Sequence, residues 1–228
     1  MRMTKRQKYD ICNIFPIRCY TFDSPNNLLK STLKEVIKLD YVSRNEPYGV
    51  GTSDEIDKNP KFKGILDWFQ SCIDTIHADE EWHTDRLVVN KTWANRSCKN
   101  SGHHHGSHRH PMSFLSAIYY MSGVDVPTVF YDPVDKRCMA SLHLDGPNNV
   151  EQISINPIPG SLIIFPSYML HWTMPNNSSE DRYTISFNTF PMGDINPNEG
   201  SISLQIDNPI GPLNLKEYKN VSSRGKGF

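Results

Sequence analysis

The sequence lacks the features of a disulfide-linked, membrane-spanning or strongly charged protein. Its five cysteines are scattered and form no CxxC pair, so neither a disulfide framework nor a thiolate zinc site is indicated. No segment approaches the roughly 18 apolar residues of a membrane span, and the N-terminus shows no apolar signal segment. The 24 Lys and Arg nearly balance the 25 Asp and Glu, which disfavours general binding to nucleic acid. We therefore expect a soluble cytoplasmic protein with no membrane partner.

The order of the predicted elements indicates an α+β fold. Helical spacing of apolar residues predicts helices over about 27–39, after cap chemistry at Asp23–Pro25, and over about 60–78. From Arg86 onward the pattern changes to period two, with short segments separated by Pro, Gly, Asn and Asp. These segments predict strands at Arg86–Trp93, Ser113–Met121, Thr128–Tyr131, Gln152–Asn156, Ser161–Phe165 and Arg182–Phe190. Helices followed by strands are typical of helices packed on one face of a β-sandwich or barrel.

No linker divides the chain, so a single domain over 1–228 is predicted. It comprises a helical part (1–85), a strand-rich core (86–190) and a C-terminal extension (191–228). A further edge strand is expected at Ile11–Ile17, where proline stops it.

Histidines are concentrated in one short segment, where five of the nine fall within 103–110. On an extended strand His108 and His110 point to the same side, because side chains alternate with period two. Two neighbouring imidazoles on one face suit iron, zinc, copper or nickel. A mobile, exposed loop that binds metals adventitiously is an equally good interpretation of the composition alone.

His171 and Arg182 add to this picture. His171 follows a buried strand at 161–165, and we expect it on a loop that points from the scaffold into a cavity. Arg182, Thr184 and Ser186 share one face of the last predicted strand. An arginine beside hydroxyls on such a face suits a carboxylate ligand, which it can bind in a bidentate manner.

Three motifs in this order resemble those of the Fe(II)/2-oxoglutarate-dependent oxygenases. Residues 108–120 read HRHPMSFLSAIYY, residues 159–167 read PGSLIIFPS, and residues 182–188 read RYTISFN, with His171 between the last two. The likeness is closest to an oxygenase family with a His-x-His-Pro-x-Ser signature, and the prolyl hydroxylases are more distant relatives. It covers about Arg86–Phe190 and implies a double-stranded β-helix, or jelly-roll, core with the N-terminal helices packed on one sheet.

The resemblance also implies roles for individual residues. His108 and His171 are similar to the first and last iron ligands, and Arg182 to the arginine that binds the C5 carboxylate of 2-oxoglutarate. Tyr120 is similar to the tyrosine that hydrogen-bonds the same carboxylate. Asn95 falls where a polar side chain often touches the cosubstrate, and Ser186 shares the face of Arg182. The implied cofactors are Fe(II) and 2-oxoglutarate.

The third metal ligand departs from the common pattern. Most relatives place Asp or Glu two residues after the first histidine, where this chain has His110. We favour His110 as the third ligand, with Asp132, His105 and an open position held by water as alternatives. His143 with Asp145 is a literal His-x-Asp, but too little chain separates it from His171 for the intervening strands, which favours a loop there.

The favoured function is an Fe(II)- and 2-oxoglutarate-dependent dioxygenase, most simply a hydroxylase that releases succinate and CO2. Two alternatives stay open: a cupin-type enzyme with three histidine ligands that uses no 2-oxoglutarate, and a jelly-roll binding module without catalysis. The near-neutral charge leaves a small molecule or a peptide as the expected substrate. Neither the substrate nor an oligomeric state is encoded in any motif of the chain.

Overall fold

A computed structural model describes residues 17–43, 48–54, 56–133, 151–196, 200 and 202–204. Two α-helices, α1 (Asn26–Val36) and α2 (Lys63–Glu80), lie in the N-terminal part. The strands in chain order are β1 (Tyr20–Asp23), β2 (Val42–Ser43), β3 (Gly51–Ser53), β4 (Arg86–Ser97), β5 (Leu115–Tyr120), β6 (Thr128–Tyr131), β7 (Gln152–Ile155), β8 (Ser161–Pro166), β9 (His171–Thr173), β10 (Arg182–Ile195) and β11 (Ile202–Leu204).

Two antiparallel sheets hold these strands. The larger sheet has the order β1-β8-β5-β10-β4-β3-β2, with β11 paired to β10. The smaller sheet has the order β7-β6-β9. In the larger sheet, four of the seven described pairings join strands that are not consecutive in the chain, as in a jelly roll. Mostly antiparallel strands with few helices match the predicted jelly-roll core.

The longest pairing in the larger sheet is between β10 and β4, and it fixes the site. Arg182 pairs with Ser97, Thr184 with Asn95 and Ser186 with Trp93. Because side chains alternate along both strands, Asn95 lies on the same face as Arg182 and Ser186.

The opposite face of this sheet is apolar. Buried residues of α2, including Phe69 and Ile73, form one cluster with Leu87 on β4 and Phe187 on β10. The ring of Phe69 lies 4.8 Å from that of Phe187 and 5.6 Å from that of Tyr119, measured between centroids. The predicted apolar stripe of α2 is buried in full, from Phe62 to Ile76.

Several boundaries differ from the sequence predictions. The cap predicted for α1 is wrong: no side chain caps the helix, and Ser24 instead hydrogen-bonds the Tyr119 hydroxyl at 2.7 Å. Pro60–Phe62 forms a separate 3-10 turn, capped by Asn59, before α2 begins. The strands β1, β2, β3, β9 and β11 are not predicted; all but β1 have only two or three residues, which are too few to show a period.

Some predicted features lie outside the described residues. These are most of the edge strand at 11–17, the C-terminal extension beyond residue 204, and His143 with Asp145. The described helices include none long and apolar enough to cross a membrane.

Candidate metal centre

Three histidines converge at one point between the two sheets. One ring nitrogen from each of His108, His110 and His171 lies within 4.8 Å of the others. The Nε2 atoms of His110 and His171 are 3.4 Å apart, and the ring centroids of His108 and His171 are 4.3 Å apart. Imidazole lone pairs this close repel one another unless a cation or a proton lies between them, so the arrangement is that of a metal site.

Backbone pairing brings the first and last of these histidines together. The amide of His108 donates to the carbonyl of His171 at 2.9 Å, and the amide of His171 donates back at 3.1 Å. His171 therefore opens a strand, β9, and the prediction that it lies on a loop is wrong. The reason is that β9 has three residues and is held by pairing with β6 and with His108, which are distant in sequence.

Hydrogen bonds to backbone carbonyls set the tautomer of two rings. Nδ1 of His108 lies 2.8 Å from the carbonyl oxygen of Gly106, and Nδ1 of His171 lies 3.0 Å from that of Met169. A carbonyl only accepts, so each Nδ1 carries the proton and each Nε2 presents a lone pair. Carbonyl partners of this kind are typical of histidines that bind a metal.

Burial also keeps the rings of His110 and His171 neutral. Burial lowers the pKa of His110 to about 3, and the nearby His171 and His108 lower it further. Burial likewise lowers the pKa of His171 to about 4, assisted by His108 and opposed by the hydrogen bond to Met169. A metal binds the neutral form of imidazole, so both groups are ready to act as ligands at neutral pH.

The alternatives for the third ligand are placed differently. Within the described residues, the converging group contains neither Asp132 nor His105. The ring centroid of His105 lies 5.9 Å from that of His108. His110, with its ring centroid 5.1 Å from that of His171 and 5.6 Å from that of Trp93, occupies the third position.

Arg182 lines the same pocket as the three histidines. Arg182 is 2 % exposed. Among the described residues, Nε has no hydrogen-bond partner and Nη2 reaches only the Thr128 hydroxyl at 3.5 Å. Burial lowers its pKa, which the nearby Tyr120 partly opposes. A buried guanidinium with an unpartnered N–H is costly, and an anion in the pocket would supply the missing partner.

Tyr120 is close to Arg182 but its hydroxyl is already engaged. The guanidinium carbon lies 5.7 Å from the centre of the Tyr120 ring, and the Tyr120 hydroxyl donates to Thr128 Oγ1 at 2.8 Å. Thr128 was not predicted as a site residue. It accepts from both neighbours, and its own proton stays available for a ligand. Its place at the start of a predicted strand gave no signal, because only the tertiary fold brings Arg182 to it.

Asn95 and Ser186 also line the pocket. The Asn95 amide nitrogen donates to Ser186 Oγ at 3.3 Å, and its amide oxygen accepts from Thr52 Oγ1 at 3.3 Å. The described residues that line this pocket include no carboxylate and no lysine, and Arg182 is their one arginine.

These residues fit iron and a dicarboxylic cosubstrate. Three converging imidazoles suit Fe(II), and a buried guanidinium whose Nε has no partner among the described residues suits a carboxylate. A larger open groove of about 530 Å³ at the edge formed by β2 and β3 contains no histidine and no buried cation. The chemistry therefore belongs to the smaller pocket.

Comparisons with known proteins agree with this fit. A sequence family described as "Putative 2OG-Fe(II) oxygenase" matches residues 91–188, which include all three histidines and Arg182. No curated protein gives a significant match. The predicted resemblance to this oxygenase family is confirmed over residues 91–188.

Solved structures share the fold at low sequence identity. The α-ketoglutarate-dependent epimerase SnoN from nogalamycin biosynthesis superposes with a TM-score of 0.61 at 10% identity, covering 86% of this chain and 90% of that one. A prolyl-4-hydroxylase from Pseudomonas putida gives 0.56 at 12% identity, covering 78% and 94%. HygX from Streptomyces hygroscopicus, solved with nickel, 2-oxoglutarate and hygromycin B, gives 0.53 at 14% identity, covering 77% and 83%.

Proposed function

We propose that this chain, whose residues 91–188 are those of a 2OG-Fe(II) oxygenase, oxidises a C–H bond of a small molecule or peptide with release of succinate and CO2. One observation carries the proposal: within the described part of the chain, three converging imidazoles share a single pocket with a buried Arg182 whose Nε has no hydrogen-bond partner. Fe(II), when bound there, supplies the chemistry that splits O2 between 2-oxoglutarate, which leaves as succinate and CO2, and the substrate, which gains a hydroxyl group.

In this proposal each side chain has a separate task. His108, His110 and His171 hold the metal through their Nε2 atoms. Arg182 binds the C5 carboxylate, and the Thr128 hydroxyl, oriented by Tyr120, donates to the same group. Asn95 and Ser186 line the pocket beside Arg182 and restrict the orientation of the cosubstrate. Fixing both ends of 2-oxoglutarate before oxygen enters reduces the entropy cost of the reaction.

The neighbours and the pocket support the proposed substrate class. Enzymes with this fold include one whose structure holds hygromycin B and a prolyl hydroxylase bound to a peptide of hypoxia-inducible factor. The half-exposed Trp93, which packs against His110, offers an apolar surface beside the metal position. A small molecule or a peptide side chain that packs on Trp93 is therefore the proposed substrate.

We also propose that the chain folds as one domain with α1 and α2 layered on the apolar face of the larger sheet. The cluster shared by Val36 on α1, Phe69 on α2 and Phe187 on β10 supports this arrangement. A cytoplasmic location remains a part of the proposal.

The test is a set of binding and product measurements on the full chain. Fe(II) added without oxygen should raise the melting temperature, and 2-oxoglutarate should raise it further only when metal is present. In air, the loaded protein should form succinate slowly without added substrate. A metal effect with no response to 2-oxoglutarate would favour the three-histidine cupin-type enzyme instead, and binding without succinate would favour a module without catalysis.

A further inference from the structure

One histidine of the pocket lies outside the converging group. His105 lines the cavity together with Arg182 and His108 but does not join the three rings. The sequence offered it as an alternative metal ligand. Its position outside the three rings does not support that role as a metal ligand.

The backbone of His105 is fixed at this point of the pocket wall. Its amide donates to Thr173 Oγ1 at 2.8 Å, and its carbonyl accepts from the Thr173 amide at 3.1 Å. Thr173 lies two residues after His171 on β9, so the segment that carries His105 is tied to the strand that carries a ligand. The imidazole is thus held in place rather than carried on a loose loop.

The ring itself has no hydrogen-bond partner within the described part of the chain. The neighbouring His104 differs in this respect, because its Nδ1 bonds the carbonyl of Gly102 at 2.9 Å and its ring packs on Tyr48. A half-buried imidazole with two unsatisfied nitrogens that faces a pocket is typical of a group that binds a ligand.

Arg182 is the strongest charged neighbour of this ring. Burial lowers the pKa of His105 to about 3, and among its titratable neighbours Arg182 contributes more to that shift than His108 or His171 does. Geometry points the same way. Thr173, which holds the His105 backbone, pairs with Thr128 across β9 and β6. Nη2 of Arg182 contacts Thr128 in turn. The segment that carries His105 therefore lies beside the Arg182 end of the pocket.

We propose that His105 is a cosubstrate-binding residue that donates a hydrogen bond to the distal carboxylate of 2-oxoglutarate, beside Arg182. The inference rests on the proposed function, and it adds a residue that the family motifs do not place. An imidazole suits this position, because it has at least one N–H that can donate a hydrogen bond to the carboxylate.

The test compares substitutions that remove or keep a donor. His105→Leu removes the polar atoms, His105→Gln keeps an N–H donor, and His104→Leu is the matched control one position away. Affinities for 2-oxoglutarate are measured by calorimetry on Mn(II)-loaded protein, which does not turn over. Because a hydrogen bond to a charged group is lost, His105→Leu should weaken binding about tenfold or more. His105→Gln should restore part of it, and His104→Leu should have no effect.

Mn(II) affinity is measured on the same variants without cosubstrate. It should be unchanged in all of them. A loss confined to His105→Leu would show that His105 is a metal ligand and would overturn the proposal. Equal weakening by Leu and Gln would show a packing role and would also overturn it.

A second ligand tests which end of 2-oxoglutarate His105 contacts. 2-Oxopentanoate keeps the chelating end of 2-oxoglutarate and replaces the distal carboxylate with a methyl group. The penalty of His105→Leu should disappear with this ligand, and a penalty that persists would contradict the distal assignment. If the wild-type protein binds no 2-oxoglutarate, the proposed function fails. If it binds and His105→Leu binds equally well, the inference about His105 alone fails.

Discussion

The two faces of β10 are equally buried and serve opposite purposes. Ile185 and Phe187 on one face are fully buried and pack with the helices, while Arg182 and Thr184 on the other are each 2 % exposed and line the pocket. The side chains of Ile185 and Phe187 carry no polar atom. Arg182, in contrast, keeps an Nε with no hydrogen-bond partner among the described residues. Burial alone therefore does not separate core from site in this molecule, whereas the polarity of the buried side chains does.

The largest effect is expected on the apolar face. Phe187→Ala removes a ring packed 4.8 Å from Phe69 and should lower the free energy of unfolding by about 3–5 kcal/mol, because the cavity cannot collapse. Urea denaturation measures the change. Phe114→Ala, at a side chain that is 44 % exposed, is the control and should cost far less. The folded fraction of the Phe187 variant should still bind 2-oxoglutarate normally, and a loss of affinity there would blur the distinction between the faces.

The next largest effect is expected at Arg182, where the substitution should stabilise the protein rather than destabilise it. Arg182→Met should weaken 2-oxoglutarate binding by about 100-fold or more, because a charged, hydrogen-bonded contact is lost. It should also raise the free energy of unfolding of the ligand-free protein by about 1 kcal/mol, since a buried unpaired charge is removed. Thermal denaturation with and without ligand measures both.

Arg86→Met is the matched control for that variant. Arg86 is another buried arginine of the larger sheet, but its guanidinium pairs with Asp74 at 3.1 Å. Its loss leaves Asp74 without this partner, so it should destabilise the protein and leave 2-oxoglutarate affinity unchanged. A destabilised Arg182→Met would contradict the view that Arg182 is maintained for a ligand.

A moderate effect is expected at the metal position. His110→Asp restores a carboxylate and should tighten Mn(II) binding about tenfold, because an anionic oxygen ligand suits Mn(II) better than imidazole does. His110→Ala should weaken it by a similar factor. His104→Asp, outside the converging group, is the control. If neither substitution of His110 changes the affinity for Mn(II), His110 is not a metal ligand.

The smallest effects are expected at Tyr120 and Thr128, and their order shows which hydroxyl contacts 2-oxoglutarate. The Tyr120 hydroxyl is engaged with Thr128 Oγ1, so Tyr120→Phe should weaken 2-oxoglutarate binding by less than about threefold. Thr128→Val removes the hydroxyl that is in reach of Arg182 and should weaken it by about three- to tenfold. The reverse order in calorimetry would return the direct contact to Tyr120, as the family resemblance implies.

The central strands were predictable because their patterns are long or strongly apolar. Thr128–Tyr131 is predicted to the residue, and β4 begins at Arg86 as predicted but extends to Ser97. Its last residues alternate with small and polar side chains, which weakens the pattern while the pairing with β10 continues. Edge strands such as β2 have two residues and exist only through their neighbour β3.

The sequence predicted several residues that face the pocket, but not which of them contact one another. The HxH motif and the alternation along β10 placed His108, His110 and Arg182 on inward faces. The reciprocal hydrogen bonds between His108 and His171 join segments far apart in sequence, so no local pattern encodes them. The same holds for the contact of Arg182 with Thr128.

The sequence alone determined which residues are candidates for the site and which of them share a face of a strand, because side-chain alternation and motif spacing are local properties of an extended chain. Only the folded arrangement decided which histidines meet, which one remains apart beside Arg182, and whether that cation has a partner. The reason is that the distance between two side chains depends on how the sheets pair and pack, and this is a property of the whole chain.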